Sequence, residues 1–255
     1  MLTHLSLFSG IGGIDLAAEW AGFTSVGQVE QGDYQTRVLE KHWPHVPKWR
    51  NIKEFGVEDF YEKTNIRTVD LISGGFPCQP FSVAGQRKGK KDDRYLWPEM
   101  LRVIQEIRPT WILGENVVGF VRMGLDKTIS DLENCGYETR VFIIPAVGVN
   151  ASHERKRVFI IGHKTLLDAD GKRWKEGIGI QNRISKKRKA ERKLGATNST
   201  HGRFCSPEPR VCRVAHGIPN RLDRIMSLGN AVVPQQVLPI LRVIAIYENA
   251  IRRTK

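Results

Sequence analysis

The sequence predicts an α/β fold, a doubly wound and mainly parallel sheet of the Rossmann-like kind, and three observations lead there. Short apolar runs alternate with amphipathic stretches through the first 163 of 255 residues, the pattern of repeated strand-helix-strand units. One run, Val69–Ser73, is almost wholly apolar, as a strand covered on both faces must be. A glycine-rich turn, Ser9–Gly13, joins the first strand to the first helix, where such folds open a crevice at the carboxyl ends of their strands.

Element by element, Leu5–Phe8 reads as a short strand. The helix after it repeats Ile14, Ala17, Ala18 and Ala21 at i, i+3, i+4 and i+7 before Gly22 ends it. Thr24–Glu30 is a second strand closing on a carboxylate, and Tyr34–Trp43 a helix stopped by Pro44 and Pro47. After Val69–Ser73 comes the loop GGFPCQPFS, then a polar, glycine-bearing stretch, Gly85–Arg94, expected to be mobile. Tyr95–Ile107 is a helix, Trp111–Leu113 a strand running into GENV, and Asp126–Cys135 a helix closed by Gly136. Thr139–Ile144 and Arg157–Gly162 are the last strands. Past His163 the periodicity fails: residues 164–213 are basic and rich in Gly, Ser and Asn, as in a small inserted lobe. Order returns in 214–255, whose helix from Gln235 is expected to pack back on the sheet. The chain thus divides into a main domain, 1–163, an insert, 164–213, and a returning segment, 214–255.

Composition narrows the function. The net charge is +13, and between Lys172 and Lys193 ten Lys or Arg stand against two Glu, leaving +8 in 22 residues. A nucleic-acid backbone would satisfy such a run, as would plain solvation of a basic face. No apolar run approaches the roughly 20 residues of a membrane span, and MLTHLSLFSG is too short and wrongly flanked for a signal peptide. A soluble, cytoplasmic protein is expected. Cys78, Cys135, Cys205 and Cys212 form no CxxC pair and no disulfide-dense spacing, which fits a reducing compartment. His201, Cys205, Cys212 and His216 are zinc-type donors, but their H-x3-C-x6-C-x3-H spacing matches no common zinc pattern and is interrupted by Pro207 and Pro209, so no metal is expected.

Four loops carry chemistry. FSGIGG, Phe8–Gly13, lets the backbone approach a ligand at a helix N-terminus, although its G-x-G-G spacing argues against a tight pyrophosphate wrap. Glu30 is placed to accept from ribose hydroxyls, or is a surface carboxylate. In GGFPCQPFS, Gly74–Ser82, the two prolines stiffen the loop and hold Cys78 at a strand end. There the thiol is a nucleophile if something lowers its pKa from about 8.5, or an inert small core residue. Glu115 and Asn116 close the next strand on the same rim, where a carboxyl group can be raised in pKa and act as an acid, or serve in a cap or salt bridge. In HERKRV, Arg155 and Arg157 alternate, so on entering a strand they point to one face.

In that order, LFSGIGG, GGFPCQPFS, GENV, HERKRV and LGNAVVP resemble the successive motifs of the DNA (cytosine-5)-methyltransferases. The likeness covers the chain except for roughly residues 164–213, and its specific part is Pro-Cys-Gln followed downstream by ENV. The resemblance implies an S-adenosylmethionine-dependent enzyme. Phe8, Gly10, Ile11 and Gly13 would line the cofactor site, with Glu30 on the ribose, Ile52 on the adenine, and Asn51 beside it where the family usually has Asp. Gly75, Pro77, Leu96, Asn230 and Val232 would complete the pocket. Cys78 matches the nucleophile that adds to C6 of cytosine, Glu115 the group that binds and protonates the base, and Arg155 and Arg157 the arginines around the catalytic loop and cytosine. The implied substrate is double-stranded DNA with the target base flipped out, and Ser82–Arg94 is the clamp that closes over it. Gln79, Ser82 and Arg94 would contact the DNA, and Lys186, Lys187, Arg188 and Lys189, in a short target-recognition region, its phosphates. A cognate restriction endonuclease and a monomeric state complete the expectation. The motif usually written Q-x-R-x-R begins here with His153, and NRLDRIMSL is an abbreviated form of a structural motif. Rival readings are methylation of transfer RNA, as in one branch of the family, and a nucleic-acid-binding module without activity. The basic insert argues against the first, and intact Cys78, Glu115, Arg155 and Arg157 against the second.

Overall fold

In the computed structural model, which describes residues 1–77, 95–151, 153–164 and 221–254, the apolar runs assemble into one seven-stranded sheet. In chain order the strands are β1 (Leu2–Leu7), β2 (Phe23–Val29), β3 (Lys48–Trp49), β4 (Leu71–Gly74), β5 (Trp111–Val117), β6 (Tyr137–Ile144) and β7 (Arg157–Lys164). Across the sheet they run β3-β2-β1-β4-β5-β7-β6. The first five pair parallel, and β7 is inserted antiparallel between β5 and β6. Parallel neighbours need crossovers, which the first four of the helices supply. The helices are α1 (Gly13–Trp20), α2 (Asp33–His42), α3 (Val57–Thr64), α4 (Trp97–Ile107), α5 (Leu125–Asn134), α6 (Arg221–Asn230) and α7 (Pro234–Thr254). The described residues all belong to one unit, Met1–Lys164 with Glu208–Lys255.

Strand alternation divides the core between two layers. Leu71 and Leu113 pack with Ala17 and Ala18 of α1 and with Val237, Leu241 and Ile244 of α7. Their neighbours Ile72 and Ile112 face the other way, onto Met100 and Ile104 of α4. The C-terminal helix packs on the Leu71 and Leu113 face of the sheet. Its far end is held as well: Arg252 donates to Met1 O (3.0 Å) and pairs with Asp70. No helix among the described residues is long and apolar enough to cross a membrane.

Three elements depart from the sequence expectation. The two-residue β3 forms because Gln28 N donates to Pro47 O (3.0 Å) and Glu30 N to Trp49 O (2.9 Å), pairings that no local pattern announces. α3 buries only Phe60 among its eight residues, too little apolar periodicity to read. α6 leaves Leu222, Met226 and Leu228 more than half exposed, so its periodicity marks no core face.

The order of the strands fixes where a site can form. From β1 the chain winds outward to β3 and then crosses back to β4 on β1's other side. The loops leaving β1 and β4 therefore diverge, and a crevice opens between them. Beneath it His4 is fully buried on β1, with Nε2 2.7 Å from Ser73 Oγ on β4 and Nδ1 3.3 Å from Ser25 Oγ on β2. Burial pushes its pKa down to about 3, since the imidazolium would lose its hydration without a counter-ion.

The folded value lies below the ordinary 6.5. His4 thus stabilises fully above pH 6.5, and stability is lost as pH falls toward 3 because only the unfolded chain takes the proton. The stability advantage of wild type over His4→Gln is expected to shrink between pH 6 and 4, by up to ~1.4 kcal/mol per pH unit. Urea unfolding of both proteins across that range measures it, and a pH-independent difference would contradict the buried neutral imidazole.

Candidate active site

The loop after β1 is bent by three residues in the left-handed region, Phe8 (φ 52), Gly10 (φ 56) and Gly12 (φ 83). Phe8 is the costly one, because an L side chain there crowds its own backbone. Hydrogen bonds hold the turn: Ser9 N donates to Val29 O (3.1 Å) and Gly12 N to Ser9 O (2.9 Å). Glu30 ties it to the loop after β2, accepting from Gly10 N at Oε2 (2.7 Å) and from Gly32 N at Oε1 (2.8 Å). Under the loop Asp15 is fully buried and accepts from Ser6 Oγ and Gln28 Nε2, both at 2.9 Å. Burial outweighs these bonds and pushes its pKa up to about 6.

On the other side of the crevice, β5 delivers Glu115 and Asn116, 7% and 4% exposed. Asn116 Nδ2 donates to Phe76 O (3.1 Å) and Oδ1 accepts from Val117 N (2.9 Å), so the chain two residues before Cys78 is pinned to the end of β5. Arg157 Nε lies 2.8 Å from Glu115 Oε1, but that oxygen has no aligned donor among the described residues. The two groups form a close ion pair. A Cβ on Gly75 would stand 2.9 Å from Glu115 Oε2, so the carboxyl group lies against bare backbone. Burial pushes the Glu115 pKa up to about 7, against the opposing pull of Arg157 and Arg155.

These two sides face one cavity of about 520 Å³. Of the residues expected around a cofactor, Phe8, Gly10, Ile11, Gly13, Glu30, Gly75, Pro77, Leu96, Asn230 and Val232 all line it, together with Glu115 and Arg157. Asn51 and Ile52 are not in the lining. Asn51 donates to Glu54 Oε1 (2.6 Å) and accepts from Lys53 N (3.0 Å), while Ile52 packs into the apolar core. Arg155 is also outside the lining, and the face expected to be shared with Arg157 does not form. Arg155 precedes β7 with φ 23, so the strand alternation has not begun there. Cys78, Gln79, Ser82, Arg94, Lys186, Lys187, Arg188 and Lys189 lie outside the described residues.

Sequence reasoning missed the tie between Gln35 Nε2 and Ser227 Oγ (3.0 Å), which joins α2 to α6 beside the cavity across 192 positions. Nothing local marks either residue. It also missed how closely the returning segment meets the first loop: a Cβ on Gly13 would fall 2.6 Å from Val232 O. The glycine pair of FSGIGG, Gly12–Gly13, was the available signal.

A sheet in this order, with a glycine turn and a cavity at the point where the strand order reverses, defines a class I methyltransferase fold. Within that class the chain belongs to the C-5 cytosine-specific DNA methylase family, whose model matches residues 2–206. It is 38% identical over 170 residues to the type II methyltransferase M.PspPI of Psychrobacter, a match covering 64% of this chain and 40% of that protein. With M.Eco47II of Escherichia coli it shares 37% identity over 179 residues, 66% of this chain and 41% of that one. The matched region thus spans about two fifths of each relative's length. Among solved structures, Spodoptera frugiperda DNMT2 superposes with a TM-score of 0.55 at 26% identity, covering 69% of this chain and 54% of that one. Dnmt2 methyltransferase of S. pombe does so with 0.54 at 26%, covering 64% and 51%.

Gly13→Ala places a methyl group against a backbone carbonyl that cannot turn aside. The melting temperature is expected to fall by roughly 2–10 °C, the scale of overpacking by one methyl group in a chain of this size. Differential scanning calorimetry measures the shift, and an unchanged transition would mean the returning segment does not rest on the glycine loop.

Proposed function

We propose that this chain transfers a methyl group from S-adenosylmethionine to C5 of a cytosine flipped out of double-stranded DNA at a short specific sequence, through a covalent bond between Cys78 and C6. One observation carries the reading: a single cavity has the glycine loop and Glu30 on one side, the Glu115–Arg157 pair on the other, and Pro77, the residue before Cys78, in its wall. The family and the fold imply the cofactor, and the residues suit it. Gly10 and Gly13 present bare backbone, and each Glu30 oxygen, already holding one amide, keeps a lone pair for a ribose hydroxyl. When bound, S-adenosylmethionine supplies an electrophilic methyl group.

The chain's own groups make cytosine able to receive it. C5 is a poor nucleophile, so the Cys78 thiolate adds to C6 while Glu115 donates to N3 and takes up the negative charge that develops on the ring. A carboxyl group held near 7 is half protonated at neutral pH, as an acid at this step requires. Arg157, against the same carboxyl group, would hold the O2 edge of the base. Once C5 carries the methyl group, its proton is removed and the thiolate leaves, restoring the double bond. The base is out of reach inside a duplex, so it must be extruded, with Ser82–Arg94 as the closing clamp and the basic run at Lys186–Lys189 on phosphates. The relatives' designation as type II methyltransferases favours a restriction-modification setting, with a cognate endonuclease as partner.

The test is incubation with labelled S-adenosylmethionine and sequence-diverse duplex DNA, followed by mapping of 5-methylcytosine. Label is expected in one short sequence context and is expected to vanish in Cys78→Ser with cofactor binding retained. Methylation by the mutant would sink the covalent mechanism, and label on transfer RNA but not on DNA would move the substrate. Glu115 must be protonated to act, so kcat/KM is expected to fall tenfold per pH unit above about 7. In Glu115→Gln this alkaline limb should disappear and kcat should drop by ~10²–10⁴. A limb that survives the substitution would assign the titration to another group.

A further inference from the structure

We propose that Arg155 is a positioning residue for the cofactor: from behind the cavity it holds the turn Gly229–Val232 that forms one wall, and it does not touch the base. This rests on the reading that the cavity takes S-adenosylmethionine.

The two arginines of HERKRV serve different spaces. Arg157 lines the cavity that contains Glu115 and Glu30. Arg155 lines a second hollow of about 570 Å³, bordered by Leu16, Trp43 and Pro234. Ile11, Gly13, Ala231 and Val232 line both, so they form the partition between the two. Arg155 therefore lines the hollow behind this partition, and only its charge reaches Glu115.

Its contacts are those of a clamp. Nη2 donates to Gly229 O (2.7 Å) and to Ala231 O (2.6 Å), the two carbonyls that flank Asn230. A charged donor shared by two carbonyls fixes the turn more firmly than neutral bonds would. The arginine is itself anchored: Gln236, in the first turn of α7, donates from Nε2 to Arg155 O (2.9 Å) and Ile144 O (2.8 Å). The left-handed φ of 23 at Arg155 turns the residue out of the strand register, and such strain persists only where the surroundings hold it. The held turn carries Asn230 and Val232 into the cavity lining and brings Val232 O against Gly13. Loosening it opens the space between the returning segment and the glycine loop.

The variants are Arg155→Met, which keeps length without donors, and Arg155→Lys, which keeps the charge but loses the planar fork. Three quantities are read: amide hydrogen exchange over residues 227–234 in the cofactor-free protein, Kd for S-adenosylmethionine by calorimetry, and kcat and KM for each substrate. Arg155→Met is expected to speed exchange in that segment, to raise Kd and KM for the cofactor at least tenfold, ~1.4 kcal/mol, and to lower kcat at saturation less than threefold. Arg155→Lys should fall between Arg155→Met and wild type. An unchanged Kd with kcat down a hundredfold would overturn the inference and return Arg155 to the base. Unchanged exchange in a folded variant would overturn it as well. If Arg155→Met does not fold, Arg155→Lys alone decides by the same criteria. Wild type that binds no S-adenosylmethionine would defeat the functional reading, while the exchange data would still decide whether Arg155 holds the turn.

Discussion

The carbonyl of Val232 lies so near Gly13 that no side chain fits between them, and the cavity side of the molecule depends on that contact. The returning segment supplies Asn230, Ala231 and Val232 to the cavity wall, and α7 directly after it covers the sheet face that Leu71 and Leu113 present. With a methyl group at position 13 the segment would have to lift, and the wall and the helix would lift with it. Site and core are therefore coupled through one backbone-to-backbone approach. Glycine is required there for space, at Gly10 for conformation, and at Gly12 for both, since a Cβ there would also meet the Trp43 ring.

The other side of the cavity is governed by a contest between burial and charge. Arg157 draws Glu115 toward ionisation, yet dehydration at a site 7% exposed wins and leaves its pKa near 7. The charges of Arg157 and Arg155 both oppose the rise, and burial exceeds their combined pull. A bidentate pair would have held the carboxylate ionised. Burial thus keeps the group able to give a proton at neutral pH.

Polar groups below the loop show the same logic in a structural role. His4 and Asp15 are fully buried, one held neutral and the other raised in pKa, and each spends its hydrogen bonds linking neighbouring elements. Ser6, Asp15 and Gln28 join β1, α1 and β2 under the glycine turn, and His4 joins β1 to β2 and β4. The floor of the crevice is thereby cross-linked by directed bonds, which specify register where apolar packing alone would tolerate slippage.

Most strands and helices were legible because burial leaves a local trace. An apolar run such as Val69–Ser73, or Ile14, Ala17 and Ala18 on one helix face, needs no knowledge of its partner to be read. Ten of the residues expected at the cofactor meet in one cavity for a related reason: motifs at the carboxyl ends of parallel strands converge once the strand order is set. The sequence by itself determined the α/β class, the rim on which the cavity lies, and the places of Gly75, Phe76, Glu115 and Asn116 side by side along that rim. Only the tertiary structure decided that β3 exists, that Gln35 meets Ser227, that Asn51 spends its side chain on its own turn, and that Arg155 and Arg157 part company. Each of these is settled by a backbone conformation or by a partner far away in the chain, and neither leaves a periodic mark on the residues themselves.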